Sequence, residues 1–279
     1  MDKIEKTEGV SSIDDIELNG FLEAVFQLYG HDYRDYARSS LKRCLSRRMI
    51  MSALSNLKEL SNRVLNDSDF FLLLQRDLSI KTSELFRDPW VFKELRKNVL
   101  PYLRTFPFIR IWVAGCSGGE EVYSLAILLH EERIKNFRFY ATDFNEAIIK
   151  QARSGVLKHI NTTDMERSYT DTGGLDSLKN YCTVKGDEVH MQKWLSDKVL
   201  FAEHNLAIDG TFNHFHLILC RNVMIYFNSK LKNRVFQLFH DSLETRGFLC
   251  IGTKETVAYS SMSHLYEEYM HEERIYRKA

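Results

Sequence analysis

The chain has 279 residues, 44% of them hydrophobic, which is enough for one large domain or two of ordinary size. Its 38 basic residues balance its 38 acidic ones, so no global charge marks it as a binder of nucleic acid or membrane surfaces. The 5 cysteines show no C-x-x-C spacing, which argues against a zinc site and favours reduced thiols in the cytoplasm. We also expect no secretory signal and no membrane insertion, because the apolar runs are too short.

The first part of the chain has a helical pattern. Residues 17–80 fit three or four helices. One of them carries an apolar stripe at helical spacing, formed by Ala37, Leu41, Cys44, Leu45 and Met49. The same region is strongly basic, and its candidate docking residues for an acidic partner are Arg34, Arg38, Lys42, Arg43 and Arg47. The alternative interpretation is a solvated helix face without a partner.

The prolines predict where this helical region ends. All three lie between Pro89 and Pro107, and proline ends helices and stiffens connections. We therefore predict an N-terminal helical domain over residues 1–88, a linker helix over 89–108 and a second domain over 109–279.

From residue 110 onward, short β-rich runs alternate with helical segments. The predicted strands cover residues 111–114, 137–141, 199–202, 215–220 and 248–252. The predicted helices cover residues 120–132 and 145–154, with another between 227 and 248. This alternation predicts an α/β fold with a mainly parallel sheet and helices on both faces. The stretch from about 161 to 198 departs from it, and its turn at Lys185-Gly186-Asp187 predicts a small β-hairpin insertion.

A glycine-rich turn follows the first predicted strand and leads into a helix. Residues 115–119 read G-C-S-G-G, and such a turn lets the backbone approach a ligand at the helix amino terminus. Glu120 and Glu121 place negative charge where a pyrophosphate would otherwise lie. Asp143 ends the next strand, where a carboxylate can accept both hydroxyls of a ribose. The pattern favours a cationic nucleoside without phosphate, such as S-adenosylmethionine; the alternative is a set of helix-capping acids and a turn aspartate.

Three segments resemble motifs of the CheR-type chemoreceptor methyltransferases. Residues 82–89 (T-S-E-L-F-R-D-P) resemble T-S-x-F-F-R-D-P, and residues 114–124 (A-G-C-S-G-G-E-E-V-Y-S) resemble A-G-C-S-T-G-E-E-P-Y-S. Residues 220–227 match C-R-N-V-M-I-Y-F in full. The resemblance extends from about residue 15 to the end. It implies a Rossmann-like S-adenosylmethionine-dependent methyltransferase fold with an N-terminal all-α domain and the small β-hairpin insertion.

The same resemblance implies a protein-glutamate O-methyltransferase that uses S-adenosylmethionine and releases S-adenosylhomocysteine. Arg87 and Tyr226 match the residues placed beside the cofactor and the transferred methyl, and are predicted to be catalytic. The implied cofactor-binding residues are Lys81, Ser83, Arg87, Gly115, Glu121, Asp143, Asn205, Leu206, Arg221 and Asn222. Within that set, Glu121 would hold the amino-acid portion, Asp143 the ribose and Asn205 the adenine. No metal site is predicted.

Two other functions are compatible with parts of this pattern. A nucleic-acid methyltransferase shares the cofactor fold, but residues 220–227 contain no proline of the N/D-P-P-Y/F type and the chain is not basic overall. A non-catalytic module that binds S-adenosylmethionine stays open because Lys81 stands where the family usually has an asparagine that touches the cofactor. We predict the cytoplasmic enzyme, acting on an acidic helical region of a chemoreceptor-type protein and not on nucleic acid.

Overall fold

The computed structural model describes residues 12–78 and 84–279. The chain divides into two compact units. The first comprises Met1–Ile80 and Tyr226–Leu231, and the second comprises Lys81–Ile225 and Lys232–Ala279. We call them the helical unit and the sheet unit. This division places residues 84–88 in the sheet unit, and it places the distant segment Tyr226–Leu231 with the amino-terminal helices.

The described part of the helical unit holds the predicted bundle of helices. They are α1 (Asp15–Tyr29), α2 (Arg38–Met51), α3 (Leu57–Asn66) and α4 (Ser68–Leu78). Helix α1 begins where the Asp14 side chain accepts hydrogen bonds from backbone N–H groups, and it ends at Gly30 in the left-handed conformation. In α2, the predicted stripe is buried at Leu41, Leu45 and Met49. Four helices therefore form, as the sequence predicts for this region.

Strands and helices alternate in the rest of the chain. The strands are β1 (Ile109–Ala114), β2 (Phe137–Asp143), β3 (Val156–Lys158), β4 (Cys182–Lys185), β5 (Glu188–Met191), β6 (Val199–Glu203), β7 (Phe215–Cys220), β8 (Leu243–Ile251), β9 (Tyr266–Met270) and β10 (Ile275–Lys278). The helices are α5 (Pro89–Glu94), α6 (Leu100–Leu103), α7 (Glu120–Glu131), α8 (Glu146–Ser154), α9 (Thr162–Asp171) and α10 (Ser229–Ser242), with a π-helical stretch at Leu95–Val99 between α5 and α6. Across the described ranges, no helix combines the length and apolar character needed to cross a bilayer.

Seven strands form the main sheet, in the order β6-β2-β1-β7-β8-β10-β9. Strands β6, β2, β1, β7 and β8 run parallel, while β10 is antiparallel to both of its neighbours. Every residue of the central strand β7 is buried, as expected for a strand covered on both faces. The predicted α/β fold is confirmed. The antiparallel pair β9 and β10 was not predicted, because charged residues interrupt both short runs.

The predicted β-hairpin also forms. Strands β4 and β5 pair antiparallel, with Cys182 opposite Met191 and Lys185 opposite Glu188. A third strand, β3, pairs with the other side of β5. It lies just before the predicted insertion begins, and helix α9 follows it, so the small sheet draws on more of the chain than the hairpin pattern indicates.

Candidate cofactor and active site

The predicted site residues follow the carboxyl ends of neighbouring parallel strands. In the sheet register, Asp143 of β2 lies opposite Glu203 of β6, Ala114 of β1 lies opposite Thr142, and Cys220 of β7 lies opposite Ile251 of β8. These strand ends form one edge of the sheet, and ligands of open α/β sheets bind outside that edge. The structure thus brings the glycine-rich loop, Asp143, Asn205 and the segment after Cys220 to the same edge.

The glycine-rich loop between β1 and α7 is shaped by left-handed backbone conformations. Gly115 has a φ of 74° and Gly119 a φ of 94°. The backbone N–H groups of Gly115 and Cys116 both donate to the Thr142 carbonyl at 2.8 Å, which ties the loop to β2. A Cβ atom at Gly115 would lie 2.5 Å from Cγ2 of Val223, so only glycine leaves room for this approach.

Asp143 is a buried carboxylate at the end of β2, with 8% of its surface exposed. Its side chain accepts hydrogen bonds from the backbone N–H groups of Ser117 at 3.1 Å and Asn145 at 3.2 Å. Burial raises the pKa of Asp143 to about 6, although backbone N–H donors oppose the shift. Because a carboxylate offers about four acceptor positions and the backbone of Ser117, Phe144 and Asn145 uses three of them, one position is left for a ligand hydroxyl. It therefore fits the predicted contact to a ribose.

Arg221 lies in a buried cluster with two acids. Its side chain is 3% exposed; Nη1 lies 2.8 Å from Oε1 of Glu121, and Nη2 lies 2.7 Å from Oδ2 of Asp88. Both terminal nitrogens also donate to the Arg87 carbonyl at 3.2 Å. Burial opposes the charged form, but the two acids prevail and raise the pKa of Arg221. Two carboxylates against one guanidinium leave net negative charge, which favours a cationic ligand.

Asn222 follows Arg221 with a left-handed backbone, at a φ of 59°. Its Oδ1 atom is buried, and it has no hydrogen-bond partner within residues 12–78 and 84–279. An unsatisfied buried acceptor costs about 1–3 kcal/mol, so it calls for a donor from elsewhere. The ammonium group of a bound amino acid is such a donor. Asn222 therefore fits the predicted role beside the amino-acid portion of the cofactor.

The segment around Arg87 is held in a strained conformation. Phe86 and Asp88, which flank Arg87, both have a φ of 54°. Each such residue costs on the order of 1–3 kcal/mol and persists only where the surroundings fix it. Here the backbone N–H of Phe86 donates to Oγ of Ser124 at 2.8 Å, and the Phe86 ring is buried. The motif at 82–89 is thus tied to the motif at 114–124.

Asn205 and Leu206 follow β6 on the other side of Asp143. The backbone N–H of His204 donates to the Asp143 carbonyl at 3.0 Å, which places the next residues beside the end of β2. Oδ1 of Asn205 accepts a hydrogen bond from the backbone N–H of Ala207 at 3.0 Å, and Leu206 is buried. The turn is therefore ordered by its own hydrogen bonds next to Asp143.

Tyr226, the predicted catalytic tyrosine, belongs to the helical unit. Its carbonyl accepts a hydrogen bond from the backbone N–H of Ala37 at 2.7 Å. Two residues further on, Asn228 donates its backbone N–H to the Asp35 carbonyl at 2.9 Å and its side-chain amide to Oδ1 of Asp35 at 3.1 Å. The backbone from the Tyr226 carbonyl to Asn228 is thus fixed by Asp35 and Ala37, next to the start of α2.

Several features of the site lie beyond the sequence-based predictions. Asp88 and Ser124 were not predicted, although both stand within matched motifs, which is the signal that could have indicated them. Lys81 and Ser83 lie outside the described residues. Where the chain is described, no group of three or more histidine, cysteine, aspartate or glutamate side chains is arranged to hold a metal ion.

A mainly parallel α/β sheet whose carboxyl edge carries a buried aspartate after the second strand, a glycine-rich loop followed by two glutamates and a buried anionic cluster fits the class of S-adenosylmethionine-dependent methyltransferases. Two family models match nearly the whole chain. The model described as "CheR methyltransferase, all-alpha domain" matches residues 16–79, and "CheR methyltransferase, SAM binding domain" matches residues 81–272. The chain belongs to the CheR methyltransferase family.

Three curated relatives match along most of their length. The Pseudomonas putida protein named "Putative methyltransferase Cher3" is 41% identical over 266 residues, covering 95% of this chain and 97% of that protein. "Chemotaxis protein methyltransferase" of Listeria monocytogenes is 30% identical over 245 residues, covering 85% and 88%. The protein of that name in Borreliella burgdorferi is 28% identical over 257 residues, covering 86% and 88%. The predicted family, fold class, methyltransferase activity and S-adenosylmethionine cofactor are confirmed.

Proposed function

We propose that this enzyme transfers the methyl group of S-adenosylmethionine to glutamate side-chain carboxylates of a chemoreceptor-type protein. The observation that carries the proposal is the complete C-R-N-V-M-I-Y-F segment, whose Arg221 is locked between Glu121 and Asp88. The relatives named chemotaxis protein methyltransferase, which align over most of their length, support the same substrate class.

The chemistry asks mainly for alignment. S-adenosylmethionine supplies the electrophilic methyl group. A substrate glutamate, with a pKa of about 4.3, is ionised near neutral pH, so it needs no general base. The enzyme's residues therefore orient the two reactants and exclude water, and correct orientation alone is worth several kcal/mol. Asp143 would hold the ribose, Asn205 and Leu206 the adenine.

The remaining proposed residues serve the reacting end. Glu121 and Asn222 would hold the amino-acid portion of the cofactor, in the cluster that Arg221 organises. Arg87 and Tyr226 would contact the reactants, and the backbone of the Gly115 loop would approach the cofactor. Lys81 and Ser83 keep their proposed cofactor contacts from the family motif.

Ion pairs within the helical unit occupy some of the basic residues that were predicted to bind an acidic partner. Lys42 is paired with Asp15 at 2.7 Å, and Arg34 is paired with Asp32 at 2.8 Å as well as with Glu23. Arg43 and Arg47 are exposed, and Arg38 is half-buried; in the described parts of the chain these three form no ion pair.

The spacing of the unpaired arginines suits an acidic helix. Arg43 and Arg47 stand one helical turn apart, on a different side of α2 from the buried Leu41 and Leu45. We therefore assign the binding of the receptor's acidic helical region mainly to Arg43 and Arg47, and give Arg38, at the start of α2 and on another side of it, a secondary role.

The reaction is tested by incubating the enzyme and S-adenosylmethionine with a chemoreceptor cytoplasmic fragment. We expect mass spectrometry to find methyl groups on glutamates, and mild alkali to release them as methanol because they are esters. Tyr226→Phe should slow turnover and leave the binding of S-adenosylhomocysteine unchanged. Alkali-stable methyl groups, or cofactor binding with no transfer to any receptor fragment, would count against the proposal.

Docking is tested by reversing charge at Arg43 and Arg47 together. The double variant to Glu should raise the KM for the receptor fragment about tenfold or more, since each exposed ion pair contributes up to about 1 kcal/mol and is replaced by repulsion. It should also flatten the salt dependence of association. The matched control is Lys58→Glu with Arg76→Glu, two exposed basic residues of α3 and α4. Equal KM values for both double variants at low salt would refute the assignment.

A further inference from the structure

The turn after β8 contains a buried acid that the motifs do not indicate. Glu255 is 6% exposed. Its Oε2 atom accepts hydrogen bonds from the backbone N–H groups of Gly252 at 2.6 Å and Asn222 at 3.2 Å. Its Oε1 atom accepts one from the backbone N–H of Ile225 at 3.0 Å. Both carboxylate oxygens are therefore occupied by main-chain donors, two of which lie 30 or more residues away in sequence.

Two of these donors, the N–H groups of Asn222 and Ile225, belong to the C-R-N-V-M-I-Y-F segment after it has left the sheet. Strand β7 ends at Cys220, so the following N–H groups have no ladder partner in the sheet. Backbone N–H groups in a buried segment require acceptors, and Glu255 provides them. Gly252 makes the approach possible, because a Cβ atom there would lie 2.7 Å from the Asn222 nitrogen and 2.8 Å from Oε2 of Glu255.

The anchored stretch lies between two fixed points of the chain. Arg221, on one side, is held by Glu121 and Asp88. On the other side the chain passes from Ile225 to Tyr226, which residues 35–37 hold in the helical unit. Without an acceptor for the N–H groups of Asn222 and Ile225, the short stretch between these points would lose its fixed conformation.

We infer that Glu255 is a positioning residue for methyl transfer, which sets Asn222 and the backbone leading into Tyr226 through main-chain hydrogen bonds. Its oxygens are engaged with the backbone, so it acts through these residues and does not itself contact the reactants. This inference rests on the proposed function for its kinetic consequence, whereas its structural part stands on the hydrogen bonds alone.

Glu255→Gln is the test variant, because it keeps the size of the side chain but turns an N–H₂ group toward N–H donors. We expect kcat for methylation of a receptor fragment to fall about 100-fold, the loss that a displacement of about 1 Å produces. The KM for the fragment should change little, since docking lies on the helical unit. Gly252→Ala should lower kcat in the same way, because its Cβ displaces the same hydrogen bonds without altering charge.

The matched control is Glu131→Gln. The side chain of Glu131 is also buried, with 1% of it exposed, and it accepts hydrogen bonds from Arg96, the Tyr169 hydroxyl and the backbone N–H of Leu175. Glu131→Gln should destabilise the same unit without changing any contact of residues 222–225. Equal losses of kcat per folded molecule in Glu131→Gln and Glu255→Gln would overturn the inference, since they would reduce the role of Glu255 to general stability.

Amide hydrogen exchange separates this inference from the proposed function. We expect residues 222–225 to exchange faster in Glu255→Gln than in the wild type, and to be unchanged in Glu131→Gln. Unchanged exchange at 222–225 in Glu255→Gln would overturn the inference whatever the kinetics show. If the exchange pattern appears as expected but wild-type enzyme methylates no receptor fragment, the proposed function fails and the anchoring role of Glu255 is supported.

Discussion

Asp143 and Glu255 are both carboxylates buried at the carboxyl edge of the main sheet, with 8% and 6% of their surface exposed. Burial raises the pKa of both, and both accept hydrogen bonds from backbone N–H groups. They differ in the number of acceptor positions that remain after those hydrogen bonds are made. Asp143 receives backbone donors from Ser117, Asn145 and Phe144, so of about four acceptor positions one is left for a ligand. Glu255 uses its oxygens to hold the turns around Gly252, Asn222 and Ile225.

Burial and a raised pKa therefore do not by themselves identify a ligand-binding acid. Both properties follow from removing a carboxylate from water, whatever it contacts next. The distinguishing quantity is the number of acceptor positions left after the main chain has been satisfied. Variants that change one acid and leave the other intact can therefore test the difference.

The largest effect should appear in the pH dependence of folding without cofactor. The folded pKa of Asp143, about 6, lies above its ordinary 3.8, so its contribution to stability is full below pH 3.8 and is lost as the pH rises through about 6. Each unit of pKa difference is worth about 1.4 kcal/mol. Relative to wild type, the always neutral Asp143→Asn should therefore gain up to about 3 kcal/mol in free energy of unfolding between about pH 4 and pH 7.

Denaturant titrations at several pH values measure this gain. Asp171→Asn, which removes an exposed carboxylate of the same unit, is the control and should show no comparable trend. Because the pKa of Glu255 is also raised, only the difference between wild type and variant isolates Asp143. If the difference in free energy of unfolding does not vary with pH, burial does not raise the pKa of Asp143 in the folded protein.

The next largest effect should be on cofactor affinity, which Asp143 and Glu255 should influence to different extents. Asp143→Ala should weaken the binding of S-adenosylhomocysteine by about 1–3 kcal/mol, the range for lost hydrogen bonds to a charged group. Glu255→Ala should weaken it less, because that carboxylate serves the main chain. Isothermal titration calorimetry measures both. Equal losses in the two variants, or none in Asp143→Ala, would remove the distinction drawn between the acids.

The smallest effect concerns the contact between the glycine-rich loop and the segment that Glu255 anchors. Gly115→Ala would bring a Cβ atom within 2.5 Å of Val223, which belongs to the segment anchored by Glu255. Gly173→Ala is the control, because Gly173 has a similar φ of 77° but no neighbouring atom within 4 Å. Left-handed strain, about 1–2 kcal/mol, is common to both. Thermal or denaturant unfolding should find Gly115→Ala less stable by at least about a further 1 kcal/mol from overpacking; equal stabilities would show that Val223 moves aside freely.

Local patterns predicted most of the elements. Helix α8 has its cap at Asn145 and its left-handed stop at Gly155, as the sequence indicates, because capping depends on residues within one turn. The strands β6 and β7 were predicted to within one residue at their ends. Strands β3 and β9 were not predicted. They are short and contain charged or exposed residues, and their pairing partners decide that they form.

The sequence by itself determined the family, the cofactor class and the set of residues gathered at the sheet edge, because those residues stand in contiguous motifs that follow strand ends. Only the tertiary structure decided which of these residues form ion pairs and which acceptors lack a donor. It also decided that Tyr226 belongs to the helical unit. Glu255 contacts partners 30–33 residues away, and the carbonyl of Tyr226 is held by Ala37 near the other end of the chain. Hydrogen bonds of this kind depend on how turns meet in space, so no local pattern of residues encodes them.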